Sequence, residues 1–408
     1  MIAEKQPDSH RYQWLALPVV LFTAIVVGGV MLMALHFALQ SYLVVQGDRT
    51  PQPAAPVQTP PAFTIQTVLT SLHNPWDIAF LPDGQALFTE RSGTLSVIRN
   101  QKAVPLLKIA DVYAQGEGGL LGLAVDPDFA TNRYIYTCFD SSKSLPNVAQ
   151  SGLDVRVVRW QVDAGVTTLT GRTDIVAGIP ANLSGRHSGC RLAFGPDGYL
   201  WIGTGDSAKA SISQSPTSLG GKILRVDRNG KGAPGNLGSA FDPRIYSYGH
   251  RNTQGIAFAP QPINGIVGFS VEHGSAIDDE VNPLIKGNFG WDPDAAYTEA
   301  GVPMTDKTKF PNAIDAVWSS GTPTQAPSGA NFISGSQWKS WNGALAIAVL
   351  KAQRLKVLTF DNKANVIKEE NILTNQGRLR SVREAPDGSL YVTTDNGTND
   401  KILRLVAQ

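Results

Sequence analysis

The sequence has little cysteine and no surplus of charge of either sign. Its 2 cysteines, Cys138 and Cys190, exclude a scaffold held by several disulfides and a zinc site built from cysteines. Their spacing leaves open whether they form one bridge. Lys and Arg number 35 and Asp and Glu 34, so the formal net charge is +1. A protein that binds nucleic acid needs a basic surplus, so we predict no nucleic-acid partner.

Several short enzyme motifs are also missing. The sequence has no Walker motif, no G-x-S-x-G and no H-E-x-x-H. It does have 40 glycines and 26 prolines, few long helical patterns, and 42% hydrophobic residues. This composition indicates a globular all-β protein with a large core and many turns.

One long stretch near the N-terminus lacks charge altogether. Residues 12–47 contain no Asp, Glu, Lys or Arg. The apolar centre of this stretch, residues 14–39, is longer than the roughly 20 residues that cross a bilayer, and no small-residue cleavage site follows it. We predict a short tail over residues 1–11 and an uncleaved transmembrane signal-anchor helix over residues 12–47. A cleaved, unusually long signal peptide is the alternative.

A proline-rich segment follows the predicted helix. Residues 48–62 carry five prolines and no hydrophobic period, which is typical of an extended, semi-rigid linker. The charges that flank the helix are nearly balanced, with Lys5 and Arg11 on one side and Arg49 on the other. We expect a single-pass inner-membrane protein whose large domain, residues 63–408, lies on the periplasmic or extracellular side.

The large domain contains a repeated unit of apolar strand, Pro-Asp-Gly turn and second apolar strand. Clear copies cover residues 78–90, 192–206 and 382–395, looser copies begin at Leu123 and Ile256, and a sixth unit without the turn triplet begins at Ala346. Proline fixes φ, aspartate bonds its own backbone and glycine accepts positive φ, so the triplet predicts a tight turn. Six units predict an all-β, six-bladed β-propeller with functional loops around its channel. A β-sandwich or a pair of β-domains is the alternative.

Histidines and cations that the repeat does not require mark a candidate site. Three histidines lie in polar, glycine-rich loops: His187, His250 and His273. Such histidines are candidates for an acid or base. Arg378 and Arg380 alternate along a predicted strand and share one face, which favours an anion between them. Lys351 is expected at a strand end, and the whole set suggests an anionic ligand. Solvated charges and salt bridges between blades are the alternative.

Nine segments, in this order along the chain, carry a resemblance to a known family. They are PWDIAFLPDG, GGLLGLAVDPDF, RHSGCRLAFGPDG, GGKILRVDRNG, YGHRNTQGIAF, EHGSAIDDEVN, GNFGWD, PSGANF and GRLRSV. The sequence resembles the PQQ-dependent sugar dehydrogenases of the soluble glucose dehydrogenase and aldose sugar dehydrogenase type. The resemblance extends over residues 72–405, and the family fold is a six-bladed propeller.

The resemblance implies roles for individual residues. His187 corresponds to the catalytic base that takes the proton of the sugar hydroxyl. Arg251 and Asn252 correspond to a pair that contacts PQQ, with Arg251 stabilising negative charge on a carbonyl oxygen of the cofactor. Three further cations correspond to residues that bind the PQQ carboxylates: Lys351, Arg378 and Arg380.

The same resemblance implies two calcium sites. Gly274 and Ser275 correspond to positions whose backbone carbonyls bind an activating Ca²⁺. Asp279 and Glu280 correspond to ligands of a second, structural Ca²⁺ in some members. From the residues alone, the acidic run 278–280 suggests either calcium ligands or a solvated loop.

Three positions depart from the family pattern. Glu117, in the cofactor-binding region, stands where relatives usually have Gln, and a carboxylate beside a tricarboxylate quinone is unfavourable unless it is protonated or bound to metal. Ser275 replaces a Pro and Phe289 replaces a Tyr. Both act through the backbone carbonyl in the family, so these two changes are expected to be tolerated.

The predicted function is that of a membrane-anchored quinoprotein. It oxidises an aldose, or a related aldehyde such as sorbosone, to the lactone or acid, and uses PQQ and Ca²⁺. The sequence does not specify the sugar or the electron acceptor. Two alternatives remain: a propeller that binds a partner without catalysis, and a calcium-dependent lactonase.

Overall fold

The computed structural model describes residues 59–143 and 152–408, which form six four-stranded antiparallel sheets. The chain enters at β1 (Phe63–Leu72). The first three sheets are β2 (Pro75–Phe80), β3 (Ala86–Glu90), β4 (Thr94–Arg99) and β5 (Lys102–Lys108); β6 (Leu120–Val125), β7 (Tyr134–Ser141), β8 (Asp154–Val162) and β9 (Leu169–Pro180); and β10 (Gly189–Phe194), β11 (Leu200–Thr204), β12 (Lys222–Val226) and β13 (Ile245–Tyr248).

The other three sheets continue the same order. They are β14 (Thr253–Ile263), β15 (Ile266–Glu272), β16 (Glu280–Pro283) and β17 (Trp318–Ser319); β18 (Pro327–Phe332), β19 (Leu345–Val349), β20 (Arg354–Phe360) and β21 (Val366–Ile372); and β22 (Leu379–Glu384), β23 (Leu390–Thr394) and β24 (Asp400–Ala407), with β1 as fourth strand. A short helix, α1 (Phe129–Asn132), and a 3₁₀ helix (Ser336–Trp341) lie between strands.

The sheets surround a common axis. The six inner strands β2, β6, β10, β14, β18 and β22 contact one another in a closed ring. The N-terminal strand β1 pairs with the C-terminal strand β24, with Thr64 opposite Val406, so both ends of the domain lie in one sheet. The predicted all-β, six-bladed β-propeller is therefore confirmed.

A separate hydrophobic cluster fills each of the six junctions between neighbouring sheets. Between the first and second sheets, for example, Leu87, Leu123 and Phe139 are fully buried or nearly so. Apolar burial of this kind is the main favourable contribution to folding, and here it is spread around the ring rather than collected in one core.

The Pro-Asp-Gly triplets form the predicted turns that follow the C-terminal ends of β2, β10 and β22. In each turn the aspartate accepts a backbone hydrogen bond two residues on: Asp83 from Gln85, Asp197 from Tyr199 and Asp387 from Ser389. The glycines Gly84, Gly198 and Gly388 have φ of 85°, 76° and 78°, which a residue with a side chain rarely adopts.

The unit predicted to begin at Ala346 has a different place in its sheet. Ala346 lies in β19, the second strand, and the inner strand of this blade is β18. The two are joined through the 3₁₀ helix Ser336–Trp341 instead of a tight turn. The number of units was correct, but the start of this unit was placed one strand too late.

The predicted membrane anchor, residues 12–47, lies outside the described residues, as does the linker up to residue 58. Within residues 59–143 and 152–408, no helix is both long enough and apolar enough to span a bilayer.

The two cysteines form a disulfide, which the sequence had left open. Cys138 lies in β7 and Cys190 in β10, and their Cα atoms are 5.5 Å apart. Both side chains are fully buried. The bond connects two neighbouring blades and joins residues that are 52 positions apart in the chain.

Replacing Cys138 and Cys190 together with alanine is expected to lower the free energy of unfolding by roughly 2–4 kcal/mol, because the unfolded chain loses a long covalent loop. Guanidinium unfolding with and without reductant measures the effect. Reductant should shift the midpoint of the wild type and leave that of the double variant unchanged. A wild-type midpoint indifferent to reductant would show that the thiols are not bonded.

Candidate active site

Functional side chains gather at the end of the channel where the inner strands begin. Glu117 lies before β6, His187 before β10, Arg251 and Asn252 before β14, and Arg378 before β22. The other end of the channel holds a cavity of about 560 Å³ whose lining is mainly alanine, leucine and phenylalanine, with Arg383 and Glu384. The chemistry-bearing groups therefore lie at the strand-start end, which we call the upper face.

His187 is held in an unusual backbone conformation at the upper face. Its φ is 56°, in the left-handed region, and its side chain is only 3% exposed. A Cβ atom on Gly205 would lie 1.8 Å from the carbonyl oxygen of His187, so this approach requires glycine at position 205. Strained conformations of this kind persist where the surrounding structure enforces them.

Asp206, just after β11, fixes the imidazole of His187. Its Oδ1 lies 2.8 Å from His187 Nδ1 and accepts a hydrogen bond from the backbone of Ala208 at 2.9 Å. Its Oδ2 accepts from the Trp291 indole at 2.7 Å and from the Tyr297 hydroxyl at 2.6 Å. A carboxylate oxygen facing Nδ1 favours the tautomer with its proton on Nδ1. Nε2 then carries the lone pair, and it has no hydrogen-bond partner among the described residues.

Glu117 and Asn252 lie beside His187. Glu117 Oε2 accepts from the backbone N–H of His187 at 3.3 Å and from the Asn252 amide at 3.2 Å. The amide oxygen of Asn252 accepts from the backbone of Gly189 at 3.1 Å. These bonds connect three of the inner-strand starts and place a carboxylate within the candidate site.

Arg251 is nearly buried and is paired with an acid. Its Nε donates to Glu299 Oε1 at 2.8 Å, and its Nη2 is 2.6 Å from the same oxygen. Its Nη1 donates to the carbonyl of His273 at 3.0 Å, and its backbone N–H donates to Glu272 at 2.8 Å. Glu299 also pairs with Arg186 at 2.7 Å.

Arg378 and Arg380 both contact Asp395, the residue after β23. The guanidinium of Arg380 forms an ion pair with the Asp395 carboxylate, and Arg378 Nε donates to the Asp395 carbonyl at 3.1 Å. Arg380 also donates to the Gln254 side chain at 3.1 Å. Burial lowers the pKa of Arg378, partly offset by Asp395. Asp395 supplies one anion for the two arginines, so they are not both neutralised.

A layer of buried charge lies deeper in the channel. Arg191 Nη1 is 2.7 Å from Asp77 Oδ2, and both side chains have no exposed surface. Trp76 packs against both Arg191 and Arg380, with their guanidinium carbons 4.1 Å and 5.6 Å from its ring centre. Asp77 stays ionised because Arg191 and Arg383 offset its burial and lower its pKa.

The segment of residues 324–326, just before β18, links Lys351 to the rest of the upper face. Lys351 Nζ lies 3.3 Å from the Thr324 hydroxyl and is otherwise exposed. Asp279 accepts hydrogen bonds from the backbones of Gln325 and Ala326 and from Gly274. The carboxylate of Asp279 therefore already holds three backbone N–H groups.

Candidate metal ligands follow His273. Among the described residues, no group of three or more His, Cys, Asp or Glu side chains is arranged to hold a metal ion. The carbonyls of Gly274 and Ser275 accept no hydrogen bond from the described residues, and the Ser275 hydroxyl is buried without a partner. Glu280 shares the Asn282 amide with Glu272, and burial together with Glu272 raises its pKa.

A family model for Glucose / Sorbosone dehydrogenase matches residues 72–404. The chain belongs to this family. It is 32% identical to aldose sugar dehydrogenase YliI of Escherichia coli over 84% of this chain and 92% of that protein. It is 27% identical to quinoprotein glucose dehydrogenase B of Acinetobacter calcoaceticus over 83% of this chain and 86% of that protein. The structure resembles that of the PQQ-bound aldose sugar dehydrogenase from Streptomyces coelicolor, with a TM-score of 0.69, 33% identity, and coverage of 86% of this chain and 100% of that one.

The structure of this glucose/sorbosone dehydrogenase family member brings the sequence-derived site residues to one face, and it adds residues that the sequence had not suggested. The additions are Asp206, Trp291, Tyr297 and Glu299. Asp206 carried a signal, because an acidic residue also ends the second strand of other blades. The other three come from the segment between β16 and β17, which has no counterpart in the repeat.

Asp140 is a buried acid next to the site. Its Oδ1 accepts from the Ser188 hydroxyl at 2.9 Å and its Oδ2 from the Gly119 backbone at 3.1 Å. Burial raises the pKa of Asp140 to about 7, with a smaller contribution from Glu117 in the same direction, against the lowering effect of its hydrogen bonds. A folded-state pKa above the unfolded one means that stability falls as pH rises toward 7.

Replacing Asp140 with Asn is therefore expected to stabilise the protein relative to wild type, by about 2 kcal/mol more at pH 8 than at pH 5.5. The amide keeps partners for Ser188 and Gly119 but does not ionise. Urea unfolding at the two pH values measures the difference. Asp315→Asn, at a side chain 75% exposed, is the control and should show little pH dependence. An equal effect of Asp140→Asn at both pH values would contradict the raised pKa.

Proposed function

We propose that this protein is a PQQ-dependent dehydrogenase that oxidises an aldose, or a related aldehyde such as sorbosone, to the lactone or acid. The observation that carries the proposal is the His187–Asp206 pair with a free Nε2 on the same face as Arg251, Arg378 and Arg380. The relatives named for aldose sugar and glucose oxidation, and the PQQ-bound structure, support it.

The residues present fit a tricarboxylate quinone. Within residues 59–143 and 152–408, the Arg378 side chain uses only Nε in a hydrogen bond and the exposed Lys351 has a single long contact, so both keep donors for carboxylates. His273 Nε2 is buried and has no hydrogen-bond partner among the described residues. Burial lowers the pKa of His273 well below its usual range, so its ring is neutral and is not one of the cations of this site. We propose that Arg251, Asn252, Lys351, Arg378 and Arg380 hold PQQ.

The chain's own groups then handle the proton of the substrate. Oxidation removes a hydride from the sugar carbon and a proton from its hydroxyl. His187 Nε2 accepts that proton, and Asp206 stabilises the resulting imidazolium through Nδ1–H. PQQ, when bound, supplies the two-electron acceptor. Arg251, oriented by Glu299, presents positive charge at the site.

We propose that Ca²⁺ binds through the carbonyls of Gly274 and Ser275, whose lone pairs are unused, in keeping with the oxygen ligands that calcium prefers. Glu280 also suits a cation, because it is buried beside Glu272 and has no positively charged partner in the part of the chain that the structure describes. Asp279 suits this role less well, since its carboxylate is occupied by three backbone donors.

We also propose that the domain is carried on a single-pass inner-membrane helix, residues 12–47, with the propeller on the periplasmic or extracellular side. The charge-free run and the proline-rich linker support this. The Cys138–Cys190 disulfide agrees with an oxidising compartment.

Titrating the purified protein with PQQ, with and without Ca²⁺, tests the proposal. We expect calcium-dependent binding, seen in the quinone absorbance, and dye reduction driven by aldoses.

His187→Gln should reduce turnover at least 100-fold and leave PQQ binding intact, because the base is lost and the cation set remains. His73→Gln, at an exposed histidine, is the control. Absence of PQQ binding would instead support the non-catalytic or lactonase alternatives.

Glu117→Gln is expected to tighten PQQ binding about tenfold. The substitution removes repulsion between two sets of carboxylates, while the amide oxygen keeps the bonds from His187 N–H and Asn252. Equilibrium titration gives the dissociation constants. Glu384→Gln neutralises a carboxylate at the opposite end of the channel and should change nothing. Unchanged or weaker binding by Glu117→Gln would show that Glu117 does not oppose the cofactor.

A further inference from the structure

The segment between β16 and β17 sends three side chains into the site. Trp291 and Tyr297 both donate to Asp206 Oδ2, and Glu299 pairs with Arg251. Each of these contacts joins residues far apart in the chain, since Tyr297 is 91 positions from Asp206 and 110 from His187. The segment is therefore attached to the upper face through the residues that surround the candidate base.

Tyr297 completes a closed ring of hydrogen bonds with His187 and Asp206. Its hydroxyl oxygen is 3.0 Å from His187 Nδ1 and 2.6 Å from Asp206 Oδ2. Because the hydroxyl has one proton and donates it to the carboxylate, its oxygen can only accept from Nδ1. The proton on Nδ1 is thus shared between Asp206 Oδ1 and Tyr297, and both acceptors favour the same tautomer.

We propose that Tyr297 is a positioning residue for the proton transfer at His187. It keeps the imidazole proton on Nδ1, which leaves the lone pair on Nε2, and it withdraws charge from Asp206 by donating to it. The inference rests on the proposed function, in which His187 Nε2 is the base. Tyr297 acts through Asp206 and His187 rather than on the sugar.

The hydroxyl of Tyr297 remains a donor over the working pH range. Burial and the charge of Asp206 raise the pKa of Tyr297. The other charged and titratable groups around this ring are Lys222 at the start of β12, whose charge interacts with Asp206, and five residues of the neighbouring loops: Glu117, Arg186, Arg251, His273 and Glu299. None of these hydrogen-bonds to either ring nitrogen of His187, so among the described residues Tyr297 and Asp206 determine its tautomer.

Removing the hydroxyl has a defined direction of effect. Without the Tyr297 bond, Asp206 keeps more of its charge and stabilises the imidazolium more strongly. The acid limb of the pH–kcat profile should then move to higher pH by about 0.5–1 unit. Turnover at neutral pH should fall about 5- to 10-fold, while KM for the sugar stays within about twofold.

The experiment compares Tyr297→Phe with wild type in two readouts. Imidazole ¹⁵N NMR of the protein without PQQ or sugar reports the tautomer and titration of His187, and steady-state kinetics reports the pH profile. Tyr113→Phe is the matched control, because Tyr113 donates to the Leu183 carbonyl at 2.9 Å and does not touch His187 or Asp206. It should leave both readouts unchanged.

A double-variant cycle tests the route of the effect. In an Asp206→Asn background, adding Tyr297→Phe should shift the His187 titration by much less than it does in wild type. A His187 titration identical in wild type and Tyr297→Phe would overturn the proposal, and so would the same shift in both backgrounds. Failure of the wild type to oxidise sugar would count against the proposed function alone, because the NMR readout needs neither cofactor nor substrate.

Discussion

The upper face of this propeller depends on one recurring constraint, a carboxylate at the upper end of the second strand of a sheet. Five of the six sheets have one: Glu90, Asp140, Asp206, Glu272 and Asp395. Each accepts a hydrogen bond from a residue at the start of an inner strand, so the repeat itself fixes the loops that carry the site. The fifth sheet has Lys351 instead, and there Asp279 of the neighbouring blade holds the loop before β18.

This arrangement explains how the propeller accommodates so many buried charged side chains near its upper face. Buried carboxylates require donors, and the backbone N–H groups and cations of the inner-strand starts supply them. Where a carboxylate meets only neutral donors, as Asp140 does, burial raises its pKa; where arginines are close, as at Asp77 and Asp395, the pKa falls. The upper face therefore has strong local charges, although the net charge of the chain is only +1.

Features that depend on residues close together in the chain could be predicted from the sequence. The Pro-Asp-Gly turns and the number of blades follow from local chemistry, and both could be predicted. The start of the fifth blade could not, because a 3₁₀ helix replaces the turn between β18 and β19. The Cys138–Cys190 bond and the contacts of Tyr297 and Glu299 join residues 48 to 113 positions apart, and no local pattern encodes such pairings. Asp206 lies between these cases, since the recurring strand-end acid marks its position but not its partner.

The pairing of Arg251 with Glu299 orients the arginine more than it neutralises it. A guanidinium has five N–H groups. Two of them face Glu299 and one faces the His273 carbonyl, so two remain, and their direction is fixed because the group is planar. A free arginine side chain would have to lose rotamer freedom when an anion forms beside it. Arg251 has already lost that freedom in the folded protein, so charge that develops next to its two free N–H groups meets donors that need no further reorganisation.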